Sequence, residues 1–374
     1  MQETKRSKMA FIDGSLLIIE SIVKAGGDVY IGYPITPANL LYLYSSKLFK
    51  FMLPAPDEIT TLQWMSGFAA TGKIPVTATS FPGLALMVES INMAYMMELP
   101  MVIILSQRLG PSTGTATCGA QGDLSLINGM VSGGSPIPTL CPSNYNDCWE
   151  LGAESVRWAW EMKTPVILLT SKEMIMTLQS FDISALKPIS KIKKEFYNKE
   201  DVYKPYLPKE DLSREFLPVG NDKFMVRITA STHDSIGMLQ HSTPDSINNT
   251  KRLQEKLIRN LKDFTFYELD EEKGAKEIIV SYGITAKAAR EAVNILRKQG
   301  KKISLLILKT IFPLPNIYFE IMEKYTKVII AEENLNGQMK QIMFGEARRK
   351  NIISVTKISK LITPLEIIQG VNQQ

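Results

Sequence analysis

The sequence predicts an α/β protein: a parallel sheet covered on both faces, followed by a second, smaller α/β unit. Three observations carry this expectation. Short apolar runs alternate with amphipathic stretches over about the first 180 residues, the alternation stops between about Ser184 and Gly274, and it resumes from Glu277. At 374 residues the chain has room for two domains.

In chain order, strands are expected at Asp28–Gly32, Pro75–Thr79, Met101–Ser106 and Pro165–Thr170, where apolar runs are bounded by Pro and polar residues. Helices are expected between them at Asp13–Ala25, Glu58–Thr71, Gly83–Met97 and Tyr145–Glu161. The middle stretch is rich in charge and proline, and Tyr203-Lys204-Pro205-Tyr206-Leu207-Pro208 excludes a helix there. It is too long for a plain linker, so part of it should pack on a domain, with a helix near Asn249–Leu261. In the last region, strands are expected at Ile278–Tyr282, Lys302–Leu308 and Lys327–Ala331. The helices there are Ala286–Gln299, closed by Gly300, then Ile317–Tyr325 and Leu335–Arg349.

Composition narrows the function. The net charge of +5 is mild and the lysines are not interleaved with aromatics, which argues against nucleic acid as a partner. Three cysteines, Cys118, Cys141 and Cys148, are too few for a disulfide scaffold or for a four-cysteine iron–sulfur or zinc site within this chain. Two histidines, His233 and His241, supply a His-based metal site poorly. Met1 to Lys8 is polar and Glu20 interrupts the apolar stretch Leu16 to Val23, so neither a signal peptide nor a membrane span is expected, and the reading is cytoplasmic.

Several segments have the chemistry of a site. Gly32-Tyr33-Pro34-Ile35-Thr36-Pro37 ends the first strand, where ligands of open parallel sheets bind. Two prolines stiffen it, so its Tyr and Thr hydroxyls would be preorganised to meet a polar ligand; a tight turn without a ligand explains it equally well. In Pro56-Asp57-Glu58-Ile59 the acids suit a helix N-terminus, and a carboxylate there can also accept a bond from a cofactor ring. Gln107-Arg108-Leu109-Gly110-Pro111-Ser112-Thr113-Gly114 follows a buried strand, and Arg108, with Ser112, Thr113 and loop amides, forms a good anion pocket. The competing reading is a structural turn with Arg108 paired to a surface acid. Gly67 to Lys73 imitates a phosphate-binding loop but lacks the hydroxyl after the lysine and precedes a strand. No Gly-x-Gly-x-x-Gly follows the first strand. His233, beside Asp234, is a weak general-base candidate, expected as a surface residue, and Met87, Met93, Met96, Met97 and Met101 read as core filler.

Taken together, these segments resemble the α subunit of the 2-oxoacid:ferredoxin oxidoreductases, the 2-oxoglutarate type most of all. The matching stretches are 32–37, Asp57-Glu58-Ile59, Thr79-Ser80-Phe81-Pro82-Gly83, 107–114 and Gln121-Gly122-Asp123-Leu124. They continue through Thr164 to Leu169, Lys204-Pro205-Tyr206, Tyr282-Gly283, Lys309 to Pro315 and Glu333 to Gln338, in order over nearly the whole chain. The resemblance implies a thiamine-diphosphate-binding fold, its pyrimidine-binding module at 1–183, a connecting segment at 184–274 and a transketolase C-terminal-like domain at 275–374. It also implies an enzyme that decarboxylates a 2-oxoacid oxidatively, delivers electrons to ferredoxin and transfers the acyl group to coenzyme A, or runs in reverse.

By that resemblance, Glu58 is catalytic and meets the aminopyrimidine ring of the cofactor, with Pro34 and Ile35 beside it. Thr36, Arg108, Tyr33, Ser112 and Thr113 bind the substrate. Mg2+ and a 4Fe–4S cluster are expected in a β subunit that shares the thiamine diphosphate, with γ and δ subunits as further partners. The sequence departs from the family pattern at Gly134-Ser135-Pro136, Phe81 and Thr115-Ala116-Thr117. Pyruvate or a branched-chain 2-oxoacid as substrate, a transketolase-like transferase, and a non-catalytic scaffold are the competing readings.

Overall fold

The computed structural model describes residues 7–346 and 349–373. From the amino terminus, β1 (Met9–Ile12) is followed by α1 (Gly14–Ala25), β2 (Val29–Gly32), α2 (Asn39–Leu48), β3 (Met52–Pro54) and α3 (Glu58–Ala70). Next come β4 (Pro75–Thr79), α4 (Phe81–Met96), β5 (Met101–Gln107), α5 (Leu124–Gly129), β6 (Thr139–Leu140), α6 (Tyr145–Met162) and β7 (Pro165–Ser171). After α7 (Lys172–Met176) and β8 (Gln179–Asp182) the chain is mostly irregular up to α8 (Pro244–Arg259). The final part contains β9 (Tyr267–Asp270), β10 (Glu277–Tyr282), α9 (Thr285–Lys298), β11 (Ser304–Leu308) and β12 (Thr310–Phe312). It closes with α10 (Asn316–Met322), β13 (Lys327–Glu332), α11 (Gln338–Phe344), β14 (Ile352–Thr356) and α12 (Pro364–Asn372).

Local chemistry sets the helix ends. Asp13 accepts from the Leu16 amide to start α1, and Gly26, at φ 118, closes it in the left-handed region that glycine tolerates. Asn144 caps α6, Thr243 caps α8 with Pro244 behind it, and a Thr363–Glu366 capping box starts α12.

Among the described residues, one sheet has seven strands in the order β12-β6-β7-β5-β4-β2-β3, all parallel except β12. Its central strands β4, β5 and β7 are buried along their whole length, which is why they read as continuous apolar runs. A second sheet, ordered β14-β13-β10-β11-β9, is parallel except for its edge strand β9. Sheet membership does not follow chain order: β12 leaves the second sheet to extend the first, and β9 joins the second from within the middle segment.

Three sequence expectations need correction. The helix expected at Leu335–Arg349 starts only at Gln338, because the Asn334 side chain accepts from the amides of Gly337 (2.8 Å) and Gln338 (3.1 Å) and holds the preceding residues in a turn. It ends at Phe344 before Gly345, at φ 73, and Ala347 and Arg348 of that expectation lie outside the described residues. The helix expected near Asn249–Leu261 begins five residues earlier, at Pro244, with Thr243 as its cap. Of the five methionines read as core, Met93 is 39% exposed, while Met87 and Met101 are buried.

The middle segment is clamped onto the first domain by a buried charge cluster. Glu98, just after α4, is fully buried and takes a left-handed backbone (φ 52). Its carboxylate accepts a bidentate bond from Arg252 (3.1 Å on one arm) and another from Lys256 (2.6 Å), both on α8. Arg214 donates to the Glu98 carbonyl (3.0 Å). Burial alone would raise the pKa of Glu98, but the Lys256 and Arg252 charges outweigh it and hold the carboxyl well below the usual carboxylate range. Glu98→Gln strands two buried cations, so it should destabilise the chain by about 3–5 kcal/mol. Chemical denaturation of the full chain checks this, and an unchanged midpoint would show that the cluster does not hold the segment.

Candidate active site

The first sheet reverses its lateral direction between β2 and β4, since β3 lies on one side of β2 and β4 on the other. Ligands of open parallel sheets bind at such a switch point, outside the carboxyl ends of the strands. Three segments meet there: the turn after β2 (residues 33–37), the β4–α4 turn (79–83) and the start of α3 at Glu58.

The capping role at the start of α3 belongs to Asp57, whose side chain accepts from the Thr60 amide at 2.7 Å. That leaves the Glu58 carboxylate for the crevice, where it is only 6% exposed. Gly83 makes room for it: a Cβ at residue 83 would stand 2.7 Å from Glu58 Oε1 and 2.1 Å from Thr79 Oγ1. The helix cap is therefore supplied by Asp57 and not by Glu58.

Thr36 is half-buried, and its carbonyl accepts from Arg108 at 2.6 Å. This bond joins the turn after β2 to the end of β5. Arg108 is buried and meets a backbone carbonyl, not the surface acid of the competing reading, and its Nε is buried without a partner. Thr36, Arg108 and, across Ser80, Thr79 and Gly83, Glu58 thus share one crevice. Ile35 is half-buried beside them and Pro34 is exposed. Tyr33 is 41% exposed, and Ser112 and Thr113 sit at the exposed tip of a hairpin closed by the Leu109–Thr115 bridge. Gly114 is obligatory in that hairpin, since a Cβ would lie 1.6 Å from the Leu109 carbonyl oxygen.

Other buried groups were not singled out in the sequence. Ser106 Oγ, Gln107 Nε2 and Asp123 Oδ2 are buried without a hydrogen-bond partner, as are Thr170 Oγ1 and Ser171 Oγ at the end of the neighbouring strand β7 and Glu173 Oε2 just after it. The available signal was the polar end of each apolar strand, Ser-Gln after Met101 to Leu105 and Thr-Ser after Pro165 to Leu169. Burial pushes the Asp123 carboxyl up to about 7, against the opposing influence of the nearby Gln107 side chain and the Arg108 charge. His233 is not the surface residue expected: it is buried, with Nδ1 at 2.7 Å from the Ser231 carbonyl and Nε2 at 2.9 Å from Asn249. A cavity of about 860 Å³ lined by Trp160, Lys163, Arg214 and Phe216 lies at the amino end of β7 and includes none of the candidate residues.

Residues 20–245 match the model described as pyruvate flavodoxin/ferredoxin oxidoreductase, thiamine diphosphate-binding, and residues 275–372 match pyruvate:ferredoxin oxidoreductase core domain II. The chain belongs to this oxidoreductase family. It is 28% identical over 375 residues to the 2-oxoglutarate synthase subunit KorA of Methanocaldococcus jannaschii, covering 97% of this chain and 99% of that one. It is 31% identical to the 2-oxoglutarate oxidoreductase subunit KorA of Mycobacterium tuberculosis, covering 94% of this chain but about half (54%) of that protein. The fold superposes with a TM-score of 0.89 on a 2-oxoglutarate:ferredoxin oxidoreductase from Magnetococcus marinus, at 27% identity, over 98% of this chain and 65% of that one. Transketolase from Campylobacter jejuni shares the fold, with a TM-score of 0.54 at 15% identity over 97% of this chain and 45% of that one. Among the described residues no helix is long and apolar enough to cross a membrane.

The residues of the crevice fit the cofactor of this family: a buried carboxylate beside a glycine cradle offers an acceptor to a flat polar ring. Gly83→Ala pushes a methyl group into that cradle. Overpacking of this kind costs about 1–3 kcal/mol, so the affinity of the assembled complex for thiamine diphosphate should fall roughly tenfold or more. Calorimetric titration checks it, and undiminished affinity would remove the cradle from the cofactor site.

Proposed function

We propose that this chain is the α subunit of a 2-oxoacid:ferredoxin oxidoreductase that acts on 2-oxoglutarate, forming succinyl-CoA and CO2 with electrons passed to ferredoxin, or running in the reverse direction. The observation that carries this reading is the shared crevice of Glu58, Thr36 and Arg108 at the switch point of the first sheet. The substrate choice is supported by relatives named for 2-oxoglutarate and by the Magnetococcus enzyme, whose structure holds 2-oxoglutarate, coenzyme A and succinyl-CoA. A ketoisovalerate oxidoreductase subunit of Methanothermobacter thermautotrophicus is 27% identical over 335 residues, so a branched-chain substrate is the second reading.

In this reading the first 183 residues hold the pyrimidine half of thiamine diphosphate, and the part from 275 holds the far end of the loop that starts at Arg108. When bound, the cofactor supplies the carbon nucleophile and the electron sink that decarboxylation needs. Glu58 holds a proton at the cofactor's ring nitrogen, and Pro34 and Ile35 border that ring on the stiffened turn. Arg108 and Thr36 orient the substrate carboxylate, with Tyr33, Ser112 and Thr113 as outer contacts. A β subunit carries the diphosphate, Mg2+ and a 4Fe–4S cluster, which suits a chain with three cysteines of which Cys141 and Cys148 are buried and free.

The deciding experiment is reduction of a low-potential viologen dye by the assembled complex, compared across 2-oxoglutarate, pyruvate and 2-oxoisovalerate. The reading expects the highest kcat/KM with 2-oxoglutarate, and a preference for either of the others overturns the substrate assignment. Glu58→Gln should leave folding intact and lower kcat by roughly a hundredfold or more, the scale of a lost acid–base group; full turnover would exclude Glu58 from the proton role.

A pH effect follows from Asp123. Its carboxyl, raised to about 7, gains a negative charge beside Arg108 as pH rises through that value. The added charge opposes an anionic substrate, so the oxoacid KM should climb between about pH 6 and 8, and Asp123→Asn should flatten the climb. An unchanged profile in Asp123→Asn would place the titrating group elsewhere.

A further inference from the structure

The second sheet also has a switch point. β11 lies on one side of β10 and β13 on the other, so the crevice between the carboxyl ends of β10 and β13 is where that domain would be expected to take a ligand. A side chain from the first domain fills it. Gln121, 1% exposed, donates from Nε2 to the Tyr282 carbonyl at the end of β10 (3.0 Å). Its Oε1 accepts from the Glu333 amide just after β13 (2.8 Å) and from the Thr285 hydroxyl at the start of α9 (2.9 Å). The backbone is tied as well: Gln121 N donates to the Glu333 carbonyl (2.7 Å), and Gln121 O accepts from Asn334 Nδ2 (3.1 Å). Gln338 extends the seam, donating to the Gly122 carbonyl (2.8 Å) and accepting from the Ser125 amide (3.0 Å).

The fit is specific to a neutral amide. Gly283, at φ 56, admits the side chain, because a Cβ there would stand 2.8 Å from Gln121 Nε2. A carboxylate at residue 121 would lose the donor to Tyr282 and add charge next to buried Glu332 and Glu333.

Gln121 closes the loop that Arg108 opens. Between the two, the loop is held by its own hairpin and by the Gly119 amide donating to Glu173 (3.0 Å). We propose that Gln121 is a positioning residue, and that the second domain is the template on which the Arg108–Asp123 loop is set. Its effect on the oxoacid rests on the reading of Arg108 as the carboxylate anchor. The second sheet's ligand crevice has thereby become a docking socket for the first domain.

The test uses Gln121→Met, which keeps side-chain length and removes all three side-chain hydrogen bonds. In the assembled complex the oxoacid KM should rise on the order of tenfold, with the coenzyme A KM and kcat changing by less than about twofold. Thr285→Val removes one of these bonds from the second domain's side and should raise the same KM by a smaller factor. Hydrogen exchange of the full-length Gln121→Met and Thr285→Val chains adds a readout independent of any substrate: amides of 109–120 should exchange faster, while Ile103–Leu105 and Ile278–Val280 keep wild-type protection. Wild-type protection across 109–120, or a loss of kcat with the oxoacid KM unchanged and no faster exchange, overturns the proposal. Faster exchange in 109–120 with an unchanged oxoacid KM upholds positioning by Gln121 and overturns the assignment of Arg108 to the oxoacid.

Discussion

The bond from Arg108 to the Thr36 carbonyl, 2.6 Å long and shielded from solvent, is the interaction on which the crevice depends. A guanidinium donating to a carbonyl is a charge-assisted bond, stronger than a neutral one, and burial strengthens it further. It fixes the end of β5 against the turn after β2. The Arg108 Nε is buried without a partner. The arginine thus staples two strand ends together, and in the proposed function it also supplies positive charge for the substrate carboxylate.

Two levels of support surround that bond. Inside the first domain, Gly83 makes space for the Glu58 carboxylate and Asp57 takes over the helix cap, so Glu58 need not serve its own helix. From outside, the seam at Gln121 anchors the far end of the Arg108 loop on the second domain, and the Glu98 cluster anchors the middle segment, through α8, on the residues just after α4. The two sheets are further joined by β12, which pairs with β6 at Thr310–Leu140 and Phe312–Thr139. The second domain is therefore built into the first through the site's own loop.

Much of this was legible in the residues. Buried parallel strands announce themselves as apolar runs, which is why β4, β5 and β7 were placed to within a residue. Thr36, Glu58 and Arg108 stood out as candidates because each follows or precedes a strongly patterned element. Short elements were not: β3, β6 and β12 span two or three residues, too few for any period to show, and β12 pairs with a strand about 170 residues earlier. The Gln121 seam was hidden for a different reason. Its partners, Tyr282, Thr285 and Glu333, lie far away in sequence, and a glutamine in a polar loop has no pattern to mark it as buried. His233 was misplaced at the surface because nothing near it in sequence names Asn249, its partner across the middle segment.

In the proposed function this chain forms one wall of a cofactor site that a partner completes. Equilibrium binding of thiamine diphosphate with Mg2+ tests it most directly, measured on the full chain alone and on the chain mixed with its β subunit. No saturable binding to the chain alone and one cofactor bound per pair in the mixture are expected. Tight, stoichiometric binding to the chain alone would contradict that reading.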